Sequence, residues 1–277
     1  MSFDFFLPVL TYPDPTPVVG LTRALDMAAS IGGKLSPLIA DIDIPTLHNA
    51  FAEVLINVSA MSAAAEKQSR EAGDRIAGEL KHLASRVSLP LTLTRHKWTL
   101  AMVSGSLAAA ARIHDCSLFV LDPKGRGHIE LAEAVLFGSG GPVLICPPHD
   151  APGHLFSVAV AWDGSRAAAR TVRDSLPILS RARSVTILTV DDDKLIAHTS
   201  IDGLREFLSY HGIEAAHFNR PREDKPVGDA LQGFALELGS DLLVMGAYGH
   251  SRLREFALGG ATSSALHAPL LPIFMSH

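Results

Sequence analysis

The chain has 277 residues, 47% of them hydrophobic and 19% charged, with a net charge of −5. That length holds one or two domains with a substantial core, and so few charges leave little room for long disordered tails. The acidic balance argues against non-specific nucleic-acid binding, which needs a basic surface. Cys116 and Cys146 are the only cysteines, too few for a disulfide framework and in keeping with a reducing compartment. No apolar run approaches the ~20 residues that span a bilayer, and the start, Met-Ser-Phe-Asp-Phe-Phe-Leu-Pro, lacks a basic region. The expectation is a soluble cytoplasmic protein with no membrane and no nucleic-acid partner.

Phe5 to Thr11 reads as a first strand. Asp14-Pro15 opens a helix with Leu21, Leu25 and Ala28 on one face, ending at Gly32-Gly33. Leu35 to Ile42 is a second strand, and Thr46 to Val87 a long helix whose exposed face is charged. Leu89 to Thr94 alternates and reads as a third strand. An alanine-rich helix over Met102 to Ile113, a strand over Leu118 to Leu121, a short helix over Glu130 to Leu136 and a strand over Val143 to Cys146 follow. This alternation implies a mostly parallel sheet with helices on both faces.

The breaker cluster from Pro147 to Gly153 marks a boundary, after which the order restarts. Phe156 to Trp162, Val185 to Val190, Glu214 to Phe218, Leu242 to Met245 and Leu271 to Met275 read as strands. Ser165 to Leu179, Ile201 to His211, Val227 to Leu238 and a short stretch near Ser263 to His267 read as helices. The repeat is half the chain, which suits duplicated domains, 1–149 and 154–277. The expected fold class is α/β: two tandem doubly wound, Rossmann-like domains, each with a five-stranded, mostly parallel sheet.

One stretch organises the second half: Asp-Leu-Leu-Val-Met-Gly-Ala-Tyr-Gly-His-Ser-Arg-Leu-Arg-Glu-Phe-Ala-Leu-Gly-Gly-Ala-Thr, from Asp241 to Thr262. It predicts a buried strand, a glycine turn, about two helical turns over Arg252 to Leu258, a glycine pair, and a helix that Thr262 can cap. Glycines let backbone N–H groups approach a ligand, and a helix start beside them favours an anion, most often a phosphate. A turn that binds nothing is the alternative reading. The spacing (Gly246, two residues, Gly249, nine residues, Gly259) resembles the nucleotide-binding signature of the universal stress protein family, tandem two-domain type. His-Ala-Pro-Leu-Leu-Pro-Ile after it strengthens the resemblance. In that family a Ser or Thr usually follows the third glycine; here Gly260 stands there, with Ala261 and then Thr262 beyond.

The first half is a degenerate copy. Val120-Leu121-Asp122-Pro123-Lys124-Gly125 aligns with Val244-Met245-Gly246-Ala247-Tyr248-Gly249, and Asp122 would repel phosphate. The stretch to the last strand is six residues shorter, so the helix expected after the glycine pair is missing, and Gly138-Ser139-Gly140-Gly141 lies too close to the last strand. In the resembling family the last strands pair antiparallel between domains. Here that pairing would fall inside one chain, a pseudo-dimer that could itself form a homodimer.

The resemblance implies an adenine-nucleotide site in the second half, with ATP as ligand, with or without Mg2+. Asp163 would accept from the adenine amino group, or cap the helix starting near Ser165. Val190 would meet the base through its backbone. Met245, Gly246, Gly249, His250, Ser251, Gly259, Gly260, Ala261 and Thr262 would hold the phosphates. Ser251 could instead cap a helix, and His250 and Arg252 could be solvated surface residues. Trp162 either walls the base pocket or belongs to the core.

No Gly-x-Ser-x-Gly elbow, Walker loop or dinucleotide fingerprint occurs. The histidines are scattered, so no structural zinc is expected. Without a general base near the glycine loop, binding with at most slow ATP hydrolysis is favoured over fast turnover. The implied role is a stress response or regulation; the rival is a nucleotide-independent protein-interaction scaffold with an unknown protein partner.

Overall fold

The computed structural model describes residues 3–45, 58–121, 125–148, 153–190, 196–247 and 260–277. Strand β1 (Phe3–Leu10) leads to helix α1 (Leu21–Ile31), β2 (Gly33–Asp43) and the long α2 (Val58–Arg86). Then come β3 (Thr94–Thr99), α3 (Leu100–Ala110), a 3-10 turn (Ala111–Ile113), β4 (Cys116–Val120), α4 (Arg126–Gly138) and β5 (Val143–Cys146). The second half repeats the order: β6 (Ser157–Ala161), α5 (Arg166–Leu179), β7 (Ser184–Val190), α6 (His198–Tyr210), β8 (Ala215–Arg220), α7 (Val227–Glu237), β9 (Leu242–Gly246), α8 (Gly260–His267) and β10 (Ile273–Ser276).

All ten strands form one sheet in the order β3-β2-β1-β4-β5-β10-β9-β6-β7-β8. Every pairing is parallel except β5 with β10, which is antiparallel: Ile273 lies opposite Ile145, Phe274 opposite Leu144 and Met275 opposite Val143. Side chains alternate faces along a strand, so this register sends Leu144 and Phe274 to one face. Ile145, Ile273, Val143 and Met275 go to the other. Each face therefore carries one core that runs through both halves. The first packs α1, α2, α5 and α6, through residues such as Leu25, Ile76, Val172 and Leu208. The second packs α3, α4, α7 and α8, through Leu107, Leu131, Phe234 and Leu266.

Three expectations shift. The third strand is Thr94–Thr99, not Leu89 to Thr94; Leu91 makes only an isolated bridge to Leu35. β3 is an edge strand, with Thr94 to Lys97 exposed, so it has little apolar alternation to read. The first helix begins at Leu21, six residues beyond Pro15, because the intervening chain folds back on β1: Thr16 N–H donates to Leu10 O and Leu10 N–H to Thr16 Oγ1. Among the described residues each half also has one helix between its last two strands. α4 links β4 to β5 just as α8 links β9 to β10. What is short is the connection before it: five residues (121–125) precede α4, whereas thirteen (247–259) precede α8. Gly138-Ser139-Gly140-Gly141 then forms the exit turn of α4, with Gly140 at φ +77°, and the Gly140 carbonyl accepts from Arg170 of α5.

Candidate functional site

In each half the strand order reverses between the first and fourth strands, at β1/β4 and at β6/β9. Such a switch point opens a crevice at the carboxyl ends of the strands, where ligands of doubly wound sheets sit. In the second half β9, β6 and β7 are neighbours, with Val160 opposite Val244 and Ala161 opposite Leu188. Gly246 and Val190 therefore end β9 and β7, and Asp163 follows the end of β6, at one level of the sheet. Ala161, Val190 and Met245 all contribute to the core under α7 and α8, and Ala261 packs against it.

Asp163 follows β6 in a tight turn. Its Oδ1 accepts from the Ser165 N–H at 2.9 Å, and Gly164 takes a left-handed φ of +72°. Capping itself falls to Ser165, whose Oγ accepts from the Ala168 N–H at 3.1 Å. A side-chain oxygen there satisfies one of the otherwise unpaired first-turn donors. Asp163 thus organises the approach to α5 at the switch point. Trp162 packs against the opposite core and donates from Nε1 to Ser200 of α6 at 3.0 Å, which makes it a brace between β6 and α6.

Gly246 has a reason of its own. Its φ is not left-handed, but a Cβ there would lie 2.5 Å from Ala168 N and 2.7 Å from Ala167 C. The first turn of α5 rests directly on the end of β9, so a side chain at 246 is excluded by the fold. Gly260 is the opposite case: among the described residues a Cβ there meets nothing within 4 Å. Thr262 lies inside α8, which begins at Gly260, and is 2% exposed. It is therefore not the N-cap that the sequence suggested. Gly249, His250, Ser251, Arg252 and Gly259 lie outside the described residues, as does Asp122.

The matching end of the sheet in the first half carries different residues. Tyr12 occupies the position of Asp163, two residues beyond the last β1 residue. Gly20, at φ +94°, brings the start of α1 so close to β4 that a Cβ would lie 2.8 Å from Val120 Cγ1 and 2.9 Å from Pro148 Cα. From the other side α2 supplies Ser69 and Glu66. Thr11 Oγ1 donates to Ala40 O, Ser69 Oγ lies 2.7 Å from Thr11 Oγ1 and accepts from the Ile42 N–H, and Glu66 accepts from the Ile44 N–H. Thr11 and Ser69 are buried. The outgoing end of β2 is thus tied to α2, whose 29 residues contrast with the 13 of α6.

Two signals were missed in the sequence. Gly228 and Gln232 are buried on α7, and the sequence reading singled out neither; an isolated glycine inside a helical pattern is the cue, since it commonly marks close packing. Cys116 and Cys146 are free and buried, and burial pushes both thiols up, Cys146 to about 12, so neither is a nucleophile at neutral pH. Among the described residues no group of three or more His, Cys, Asp or Glu side chains could hold a metal ion, and no helix is long and apolar enough to cross a membrane.

No protein-family model matches the sequence, and no curated protein does. Solved structures do. A universal stress protein from Archaeoglobus fulgidus aligns with 99% of this chain and 96% of its own, at 15% identity and a TM-score of 0.72. A universal stress protein described as putative, from Pseudomonas aeruginosa, covers 99% of this chain and 93% of its own, at 13% identity and 0.57. A functionally unknown protein from the same species covers 98% and 92%, at 13% and 0.56. Along nearly its whole length, then, the chain has the fold of the universal stress proteins.

Proposed function

We propose that this chain is a tandem universal stress protein, with domains at 1–149 and 154–277, that binds one adenine nucleotide, ATP, in its second half and serves a stress-response or regulatory role. The observation that carries the reading is the inequality of the two switch points. One has Tyr12 where the other has Asp163, has the end of β2 tied to α2 through Thr11 and Ser69, and is followed by a five-residue connection. The other is flanked by Asp163, Val190 and Gly246 and followed by thirteen residues that hold Gly249 and Gly259. Backbone N–H groups of a glycine-rich turn and of the helix that follows suit phosphate oxygens. A carboxylate at Asp163 suits an exocyclic amino group. Calorimetric titration of the full chain with ATP should give one site; two equal sites would contradict the reading. Asp163→Ala should weaken ATP and adenosine alike, by about 1–2 kcal/mol for one charge-assisted hydrogen bond.

A second reading, a scaffold that binds no nucleotide, draws on Gly246. The fold requires that glycine whether or not a phosphate is near it. If ATP, ADP and adenosine all give no heat on titration while the protein is folded, the scaffold reading stands and the nucleotide reading falls.

A further inference from the structure

Helix α8 carries Gly260, Ala261 and Thr262 in its first turn, and it is held by α7 in an unusual way. A Cβ on Gly228 would lie 2.6 Å from Ser264 Cβ, 2.8 Å from Ala261 Cα and 2.9 Å from Ala261 O. The first turns of the two helices are therefore in backbone contact, which only glycine permits. Gln232, 1% exposed, fixes the other end. Its Nε2 donates to Ser264 Oγ at 3.1 Å and to Ala268 O at 3.4 Å, and its Oε1 accepts from the Leu270 N–H at 2.7 Å. Ser264 in turn donates to Asp229. One buried amide thus ties the middle and the exit of α8 to α7.

The first half lacks this clamp. Helices α3 and α7 have eleven residues each, and both bury their fourth, eighth and ninth: Val103, Leu107 and Ala108 in one, Ala230, Phe234 and Ala235 in the other. At the second and sixth positions α7 buries Gly228 and Gln232, whereas α3 has exposed Ala101 and Gly105. The clamp accompanies the long glycine-containing connection and is missing beside the short one.

We propose that Gly228 and Gln232 are positioning residues for the phosphate end of the nucleotide site: they set the height of the first turn of α8 and so govern the hold on the triphosphate, not on the adenosine. This rests on the proposed function. The test is calorimetry of the full chain with ATP and with adenosine, for the unaltered protein and for Gly228→Ala, Gln232→Glu and the matched control Ala101→Val, with melting curves for each. Gln232→Glu keeps the acceptor for Leu270 and loses both donors, so it remains informative if Gly228→Ala does not fold. Either α7 variant should lose about tenfold or more in ATP affinity with adenosine affinity within about twofold, and Ala101→Val should change neither. A folded α7 variant that binds ATP as the unaltered chain does, or that loses ATP and adenosine equally, overturns the inference and leaves the proposed function standing. An unaltered chain that binds no ATP overturns both.

Discussion

Two glycines of the same sequence motif separate cleanly at the level of single residues. Gly246 is confined by the backbone of Ala167 and Ala168, so Gly246→Ala should cost about 1–3 kcal/mol in denaturant unfolding, with or without nucleotide, as overpacked cores do. Gly260 opens α8 with none of the described residues near its missing Cβ. Alanine is the better helix former by about 1 kcal/mol, so Gly260→Ala should leave stability unchanged or raise it slightly. Should that variant also lose ATP affinity, the glycine is there for the ligand; unchanged affinity would remove Gly260 from the site. Asp4 gives a prediction in pH. Burial opposes its charge, but hydrogen bonds from Ser36, Lys34 and His114 outweigh that and hold its carboxyl below the usual 3.8. A depressed folded value stabilises the fold above the unfolded value and is lost as pH falls through the folded one. Asp4→Asn should therefore cost about 1–2 kcal/mol at pH 7, and the difference from the parent should shrink below about pH 3.8. A cost that is the same at pH 7 and pH 2.5 would show that the charge contributes nothing.

Elements show what the sequence could and could not display. Buried strands such as Val143–Cys146 are short apolar runs, and the structure has β5 at those bounds. The amphipathic α5 was equally plain, although its cap is Ser165 and not Asp163. The edge strand β3 hides because water relieves it of an apolar pattern, whereas β8, the other edge, is read at Glu214 to Phe218 against Ala215–Arg220. β3 and β8 are instead pinned by side chains: Arg95 to Asp41 in the first half, and His217 and Asn219 to Thr189 in the second. The pinned residues correspond, since Ile39 pairs with Arg95 and Ile187 with His217. Arg95→Met should speed hydrogen exchange across Thr94–Thr99 more than across β1; uniform acceleration would point to global destabilisation instead. The candidate site was legible only as a motif. Its position depends on the strand order that brings the ends of β9, β6 and β7 together, which is not a local property of the chain. The β5/β10 seam is likewise non-local. Its six paired side chains are fully buried, each worth about 1.5–3 kcal/mol of transfer free energy. Halves expressed separately should accordingly be poorly soluble or pair with their own copies; two soluble, strictly monomeric halves would contradict the role given to the seam.

For the molecule as a whole, cores that cross the seam on both faces mean that neither half has a private interior. Unfolding should therefore be one cooperative transition, with calorimetric and van't Hoff enthalpies in agreement. Two resolved transitions would show that the halves melt independently despite the shared sheet. The antiparallel seam also bears on how such a chain can change over time. When two identical subunits meet across a twofold axis, any substitution appears on both sides of it, so a residue that blocks one crevice blocks its mate. Joining the halves in one polypeptide lifts that constraint. A Tyr12 opposite an Asp163, or a long α2 opposite a short α6, can arise once and stay. One half is then free to become pure architecture, lending its strands and cores, while the other diverges beside a partner it cannot lose by dilution.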